Sequence, residues 1–153
     1  MICLYFPRLN VELACRRRPA LRGRPLALVQ GAGDEAIIVG RSAEAACRGG
    51  IVGTRAGDAR RRVPGLAFAA ANRELARAEL GRIAGELSDA IGTPVSIGDD
   101  CLTISVGSGL LDRGTGAYLA ELAALTADHS DLSCVAGSGN SVEEARAAAM
   151  GAA

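Results

Sequence analysis

Residues 72–91 carry the longest helical apolar repeat in the chain, and it fixes much of what can surround it. Asn72 can cap the helix, and Leu75, Ala78, Leu80, Ile83, Leu87 and Ile91 recur about every 3.6 residues. One face of such a helix must be buried against a sheet or other helices. The chain supplies both. Strands are expected at 94–97 and 101–106 around the Gly98-Asp99-Asp100 turn, followed by an amphipathic helix over 115–127 that Thr115 can cap. A strand over 132–136 and a last helix over 141–149 complete this half. At the start, 2–6 is a short continuous apolar run that suits a buried strand. The succession predicts an α+β fold, a split βαβ pattern with a mostly antiparallel sheet and helices on one face.

Between these parts, a short helix over 10–18 is ended by Pro19, and strands over 25–30 and 35–40 flank a turn at 31–34. Ser42 can cap a helix that stops at Gly49-Gly50. A second helix over 56–63, basic on one side, ends at Pro64 and leads to a strand over 66–70. Residues 41–70 are therefore expected to project as a small inserted helical lobe, with 1–40 and 71–153 forming the main domain.

The length of 153 residues suits about one domain. Tyr5, Phe6, Phe68 and Tyr118 are the only aromatics, too few for a stacking platform for single strands of nucleic acid. Net charge is zero, but residues 1–82 hold 15 Arg against 7 acidic residues, a net +8. Residues 83–153 hold 2 Arg against 10 acidic residues, a net −8. Such asymmetry points to a polyanion partner for the basic half. Five scattered cysteines without a CxxC, and a single histidine, His129, suggest neither zinc nor a disulfide framework. They suit small buried side chains in a reducing compartment. Arg8 interrupts the first apolar stretch, and no signal peptide or membrane span is read, so the cytoplasm is the expected location.

Three stretches carry a resemblance. Residues 18–29, Arg-Pro-Ala-Leu-Arg-Gly-Arg-Pro-Leu-Ala-Leu-Val, look like a "P-x-L-[RK]-G-[RK]-P-hydrophobic" passage into a second strand. Gly50-Ile51-Val52-Gly53-Thr54, then Ala59-Arg60 and Pro64-Gly65-Leu66, look like "G-V-x-x-G-M … A-R … P-x-L". Val135-Ala136-Gly137-Ser138-Gly139-Asn140, with Ala145 and Ala148 after it, looks like "G-I-A-x-N-K … A". In this order they resemble the palm and fingers of the Y-family (UmuC-like) DNA polymerases. The stretch from Pro7 to Pro19 is most similar to the catalytically inactive ImuB-type branch. The resemblance implies a ferredoxin-like palm with inserted fingers, and a role in DNA repair by translesion synthesis. No counterpart of the family's thumb or C-terminal DNA-gripping domain is read, so the chain is expected to be a fragment.

Phosphoryl transfer in that family implies two divalent metals about 4 Å apart, held by carboxylates. At the positions matched to the first-strand part of that site stand Cys3 and Tyr5. Ser96-Ile97 is followed by Gly98 and then Asp99-Asp100, read first as a hairpin turn and second as a retained half of a metal site. The family's triphosphate-gripping Tyr and Arg fall on Glu44 and Cys47, counted back from Gly50, and its later Lys falls on Ser141. Arg8 stands where an aromatic gate against ribose is implied. Arg55, Arg60, Arg61 and Arg62 are candidate DNA contacts, as phosphate ligands or simply as a solvated face. Arg16–Arg18, Arg22 and Arg24 form a second basic cluster. The first expectation is an inactive polymerase relative that binds DNA or repair and replication proteins, with no cofactor. A divergent active polymerase, needing magnesium at a site rebuilt around Asp99 and Asp100, comes second. An unrelated ferredoxin-like interaction domain comes third.

Overall fold

The first strand, β1 (Ile2–Tyr5), is apolar throughout because both its faces are covered: Ile2, Cys3 and Leu4 have no exposed surface. The computed structural model describes residues 1–49, 52–107 and 115–153. They fall into two compact units, one of residues 1–9 with 74–153 and one of residues 10–73.

In the first unit β1 pairs antiparallel with β6 (Cys101–Ile104) on one side and β7 (Val135–Ser138) on the other. With β5 (Val95–Ile97) the sheet order is β5-β6-β1-β7. The registers Cys3 to Thr103 and Cys3 to Gly137 put these residues on one face, and Ile2, Leu4, Leu102 and Ile104 on the other. The long helix α4 (Arg73–Ile91) buries Leu80, Ile83 and Leu87, three members of its apolar repeat. It lies on the Leu102 face, where a Cβ on Gly81 would meet Ile97 Cδ1 at 3.8 Å. Arg82 of α4 donates to the His129 carbonyl of α5 (Thr115–Ser130) at 3.0 Å, which ties these two helices together. The last helix, α6 (Val142–Gly151), takes the opposite face, where Ala145 and Ala149 pack with Cys3 and Cys101. The α+β class is as expected, a mostly antiparallel sheet with α4 on one face and α6 added behind it.

Gly137 sets how close α6 comes. A Cβ there would lie 2.3 Å from Ala149 N and 2.5 Å from Ala145 O, so no side chain fits. Ser141 caps this helix by accepting from Glu144 N at 3.2 Å, while Glu144 Oε2 accepts from Asn140 N at 2.8 Å.

The second unit departs from the expected division. Residues 10–40 were expected to join the main domain, but β2 (Leu26–Gln30) and β3 (Ile37–Arg41) form a separate sheet with β4 (Ala67–Ala70), in the order β3-β2-β4. The reason is backbone pairing. β2 is antiparallel to β3 and parallel to β4, so its hydrogen bonds close inside residues 10–73. The expected helical insertion is present between β3 and β4 as α2 (Ala43–Ala46) and α3 (Ala56–Arg62). Ser42 Oγ accepts from Ala45 N at 3.3 Å and Leu26 N at 3.1 Å, capping α2 and joining it to β2. Helix α1 (Leu9–Arg17) contributes Val11, Ala14 and Cys15 to a cluster with Leu26, Leu28 and Ala67. The 35–40 strand begins later than expected because Gly33–Glu35 forms a 3-10 turn. Gly50 and Ile51, quoted in the resemblance, lie outside the described residues.

Two glycines test the packing in opposite directions. Gly137→Ala must displace helix backbone and should cost about 3 kcal/mol of stability in urea denaturation. Gly81→Ala meets only a flexible methyl in a helix interior and should stabilise by about 0.5–1 kcal/mol.

Candidate functional site

An acidic pair, Asp99-Asp100, stands in the β5–β6 turn of the four-stranded sheet. Phe6 N–H donates to the Asp100 carbonyl at 2.9 Å, so this turn meets the chain just past the end of β1. Tyr5, Phe6 and Pro7 stand there, and none carries a carboxylate. Cys3 lies deeper in the sheet, fully buried beneath Ala145 and Ala149. Tyr5 is half-buried opposite Cys101. The structure therefore brings Tyr5 beside the acidic turn, with Cys3 deeper on the same face of the sheet. Pairing register, which the sequence does not display, decides this.

Asp99 is exposed. Asp100 is held by Arg146, whose Nη2 donates to both carboxylate oxygens at 2.9 and 3.0 Å. The Arg146 guanidinium is pushed up from its ordinary pKa, chiefly by the Asp100 charge. Its Nε is buried without a hydrogen-bond partner. Sequence reasoning missed Arg146, although it is one of only two arginines in the acidic half. The donor set does not suit magnesium, which takes converging oxygen ligands. One carboxylate is committed to a guanidinium, and the positive charge of Arg146 stands where a second cation would be repelled. Among the described residues no group of three or more His, Cys, Asp or Glu side chains could hold a metal ion.

Glu44 and Cys47 are exposed at the two ends of α2, and Ser141 serves as the cap of α6. Arg8 is exposed, and His129 Nδ1 sits 3.5 Å from Glu86 Oε2. The candidate DNA contacts cluster on α3 and its cap, but three of the four have acidic neighbours. Arg55 pairs with Glu35 at 3.2 Å, Arg60 with Asp34 at 2.8 Å, and Arg61 with Asp58 one turn away. Arg60 also lies 5.2 Å from the centre of the Phe68 ring. Arg62 makes no ion pair among the described residues. No helix of the described residues is long and apolar enough to cross a membrane.

The Cys3 thiol is pushed up from 9.0 to about 12, first by burial and then by the neighbouring Cys101 thiol. A folded value above the unfolded one means the protonated thiol favours the fold. This contribution is complete below about pH 9 and is lost as pH rises towards 12. The urea midpoint should fall across that window, and Cys3→Ala should flatten the fall. Maleimide should label exposed Cys47 in the native protein and Cys3 only on unfolding.

Comparison with known proteins bears on the whole chain. The family described as impB/mucB/samB matches residues 4–150. A search of curated proteins finds no match. Among solved structures, the insertion ternary complex of Dbh DNA polymerase is similar with a TM-score of 0.81 at 16% identity, over 99% of this chain and 46% of that one. DinB from Sulfolobus solfataricus gives 0.77 at 16% identity, over 95% and 43%. A Y-family DNA polymerase chimera of Dbh and Dpo4 gives 0.75 at 15% identity, over 89% and 41%. The chain thus spans less than half the length of each of these structures. With the match running from within the first strand to the last helix, this chain belongs to the impB/mucB/samB family of UmuC-like, Y-family polymerase domains.

Proposed function

We propose that this chain is a catalytically inactive Y-family polymerase relative, of the ImuB-type branch, serving DNA repair and translesion synthesis as a DNA- or partner-binding subunit. One observation carries the proposal: the Asp100 carboxylate at the end of the sheet is bound to Arg146, and the chain beside it offers Tyr5, Phe6 and Pro7. A two-metal mechanism needs carboxylates that clamp both attacking and leaving oxygens through their metals. Here the guanidinium consumes one ligand and opposes a dication in the same place. Loss of the Tyr, Arg and Lys of the triphosphate grip, at Glu44, Cys47 and Ser141, runs in the same direction. No magnesium or other cofactor is required by such a role.

Primer extension by the full chain should stay at background in magnesium or manganese, and calorimetry should show no saturable magnesium binding. Saturable binding that disappears in Asp99→Ala would overturn the proposal and favour an active enzyme.

DNA contact is assigned to Arg55, Arg60, Arg61 and Arg62. Because Glu35, Asp34 and Asp58 accompany three of these, only Arg62 brings an uncompensated charge. Duplex binding should therefore be weak and sequence-independent, with a log–log salt slope of about −1. The double variant Asp34→Asn with Glu35→Gln releases Arg60 and Arg55 and should steepen the slope to about −3. Replacing Arg60, Arg61 and Arg62 by Ala should abolish binding. Absence of DNA affinity at about 50 mM salt would leave the protein-binding role alone.

A further inference from the structure

The sheet of residues 10–73 has two edges, and the chain treats them differently. Along β3 the backbone is covered. Ile38 N–H donates to the Thr54 carbonyl at 3.0 Å, Gly53 N–H to Ile38 at 2.8 Å and Ala56 N–H to Ala36 at 2.8 Å. β4 forms the other edge. Ala67 N–H donates to the Pro25 carbonyl at 2.8 Å and Ala71 N–H to Val29 at 2.9 Å. Residues 67, 69 and 71 thus turn their backbone groups towards β2, and alternation turns those of Phe68 and Ala70 away from it. No hydrogen bond among the described residues engages these outward groups.

Beside this edge lies a cavity of about 340 Å³, walled by residues 68–72 on one side and by Ala14, Arg17 and Arg18 on the other. The last three follow helical spacing and present one face, since Arg18 N–H still donates to the Ala14 carbonyl at 3.0 Å. Both arginines are exposed, and neither makes an ion pair among the described residues. Alanines at 69–71 keep the strand wall low. A strand edge facing a helix across an open groove is the geometry in which an extended peptide adds to a sheet.

We infer that this groove takes an extended acidic segment of a partner protein, added as a strand along β4 with its carboxylates against Arg17 and Arg18. The chemistry favours a peptide over a nucleic acid on two counts. The outward carbonyls of Phe68 and Ala70 need donors, which a peptide backbone has and a phosphodiester lacks. No free aromatic face lines the groove for a base, because the Phe68 ring packs with the Ala27 and Ile38 cluster under Arg60. Carboxylates on every second residue of the segment would share one side of it and meet the two guanidiniums in charge-assisted hydrogen bonds.

The test uses the full chain and a fluorescent hexapeptide of alternating valine and glutamate, followed by anisotropy at low salt. A peptide with lysine in place of glutamate should bind at least about tenfold more weakly. The double variant R17E/R18E, with both sites exposed and its fold checked by circular dichroism, should lose at least about tenfold for the acidic peptide. Ala70→Pro, which removes one outward N–H, should also weaken binding. If that variant unfolds, the arginine variant carries the test. At saturation the acidic peptide should slow amide exchange at Phe68 and Ala70 and leave Ala69 unchanged. An affinity indifferent to R17E/R18E, or unchanged exchange at Phe68 and Ala70, overturns the inference. A thymidine oligonucleotide that displaces the peptide and depends on the same arginines, without protecting those amides, would overturn it in favour of a nucleic-acid face.

Discussion

Strand Ile2–Tyr5 is hydrogen-bonded along both edges and buried on both faces, and its unit is arranged around that constraint. A strand so placed can hold only small or apolar side chains. At Cys3 the restriction is sharpest, because Ala145 and Ala149 lie over it and Gly137 opposite has no room for a Cβ. A carboxylate at position 3 would be buried under the last helix, and its desolvation would oppose the charged form. The absence of a carboxylate from this strand and the close seating of the last helix are thus mutually consistent.

The helices were legible because each announces itself locally. The apolar repeat after Asn72, the Ser42 and Ser141 caps and the Pro19 and Pro64 stops all act within a few residues. The division of the sheets was not legible. β2 lies beside β4 through a parallel ladder that spans the whole helical insertion, and no local pattern records such pairing. The same limit applied to the site. Counting from the family pattern singled out Cys3 and Tyr5, and the hydrogen bond that sets the acidic turn against Phe6 was not readable from that count. Arg146 lies 46 residues from Asp100, so their pairing depended on the last helix reaching the sheet. The arginines on α3 were visible as a basic cluster, but Asp34 lies 26 residues from Arg60 and its neutralising role was hidden.

Those ion pairs alter what a count of charges implies. A net +8 over the first 82 residues suggests a strong polyanion surface. On α3, acidic partners cancel much of it at hydrogen-bond distance. Both members of the Arg55–Glu35 and Arg60–Asp34 pairs are more than half exposed, so each pair contributes little to stability. The DNA contacts proposed for this cluster would accordingly be weak and sensitive to salt.

Asp99 and Asp100 place two like charges at a tight turn, an arrangement that a polymerase site would relieve with metal ions. In this chain the relief comes from within, since Arg146 reaches Asp100 with both members of the pair partly exposed. Screening by water keeps that interaction modest, and the buried, unpaired Nε of Arg146 offsets part of it. The net effect is geometric more than energetic. It joins the β5–β6 turn to the last helix. A sheet end organised in this way fits the binding role proposed above, with Asp100 turned to Arg146 rather than left open to a metal ion.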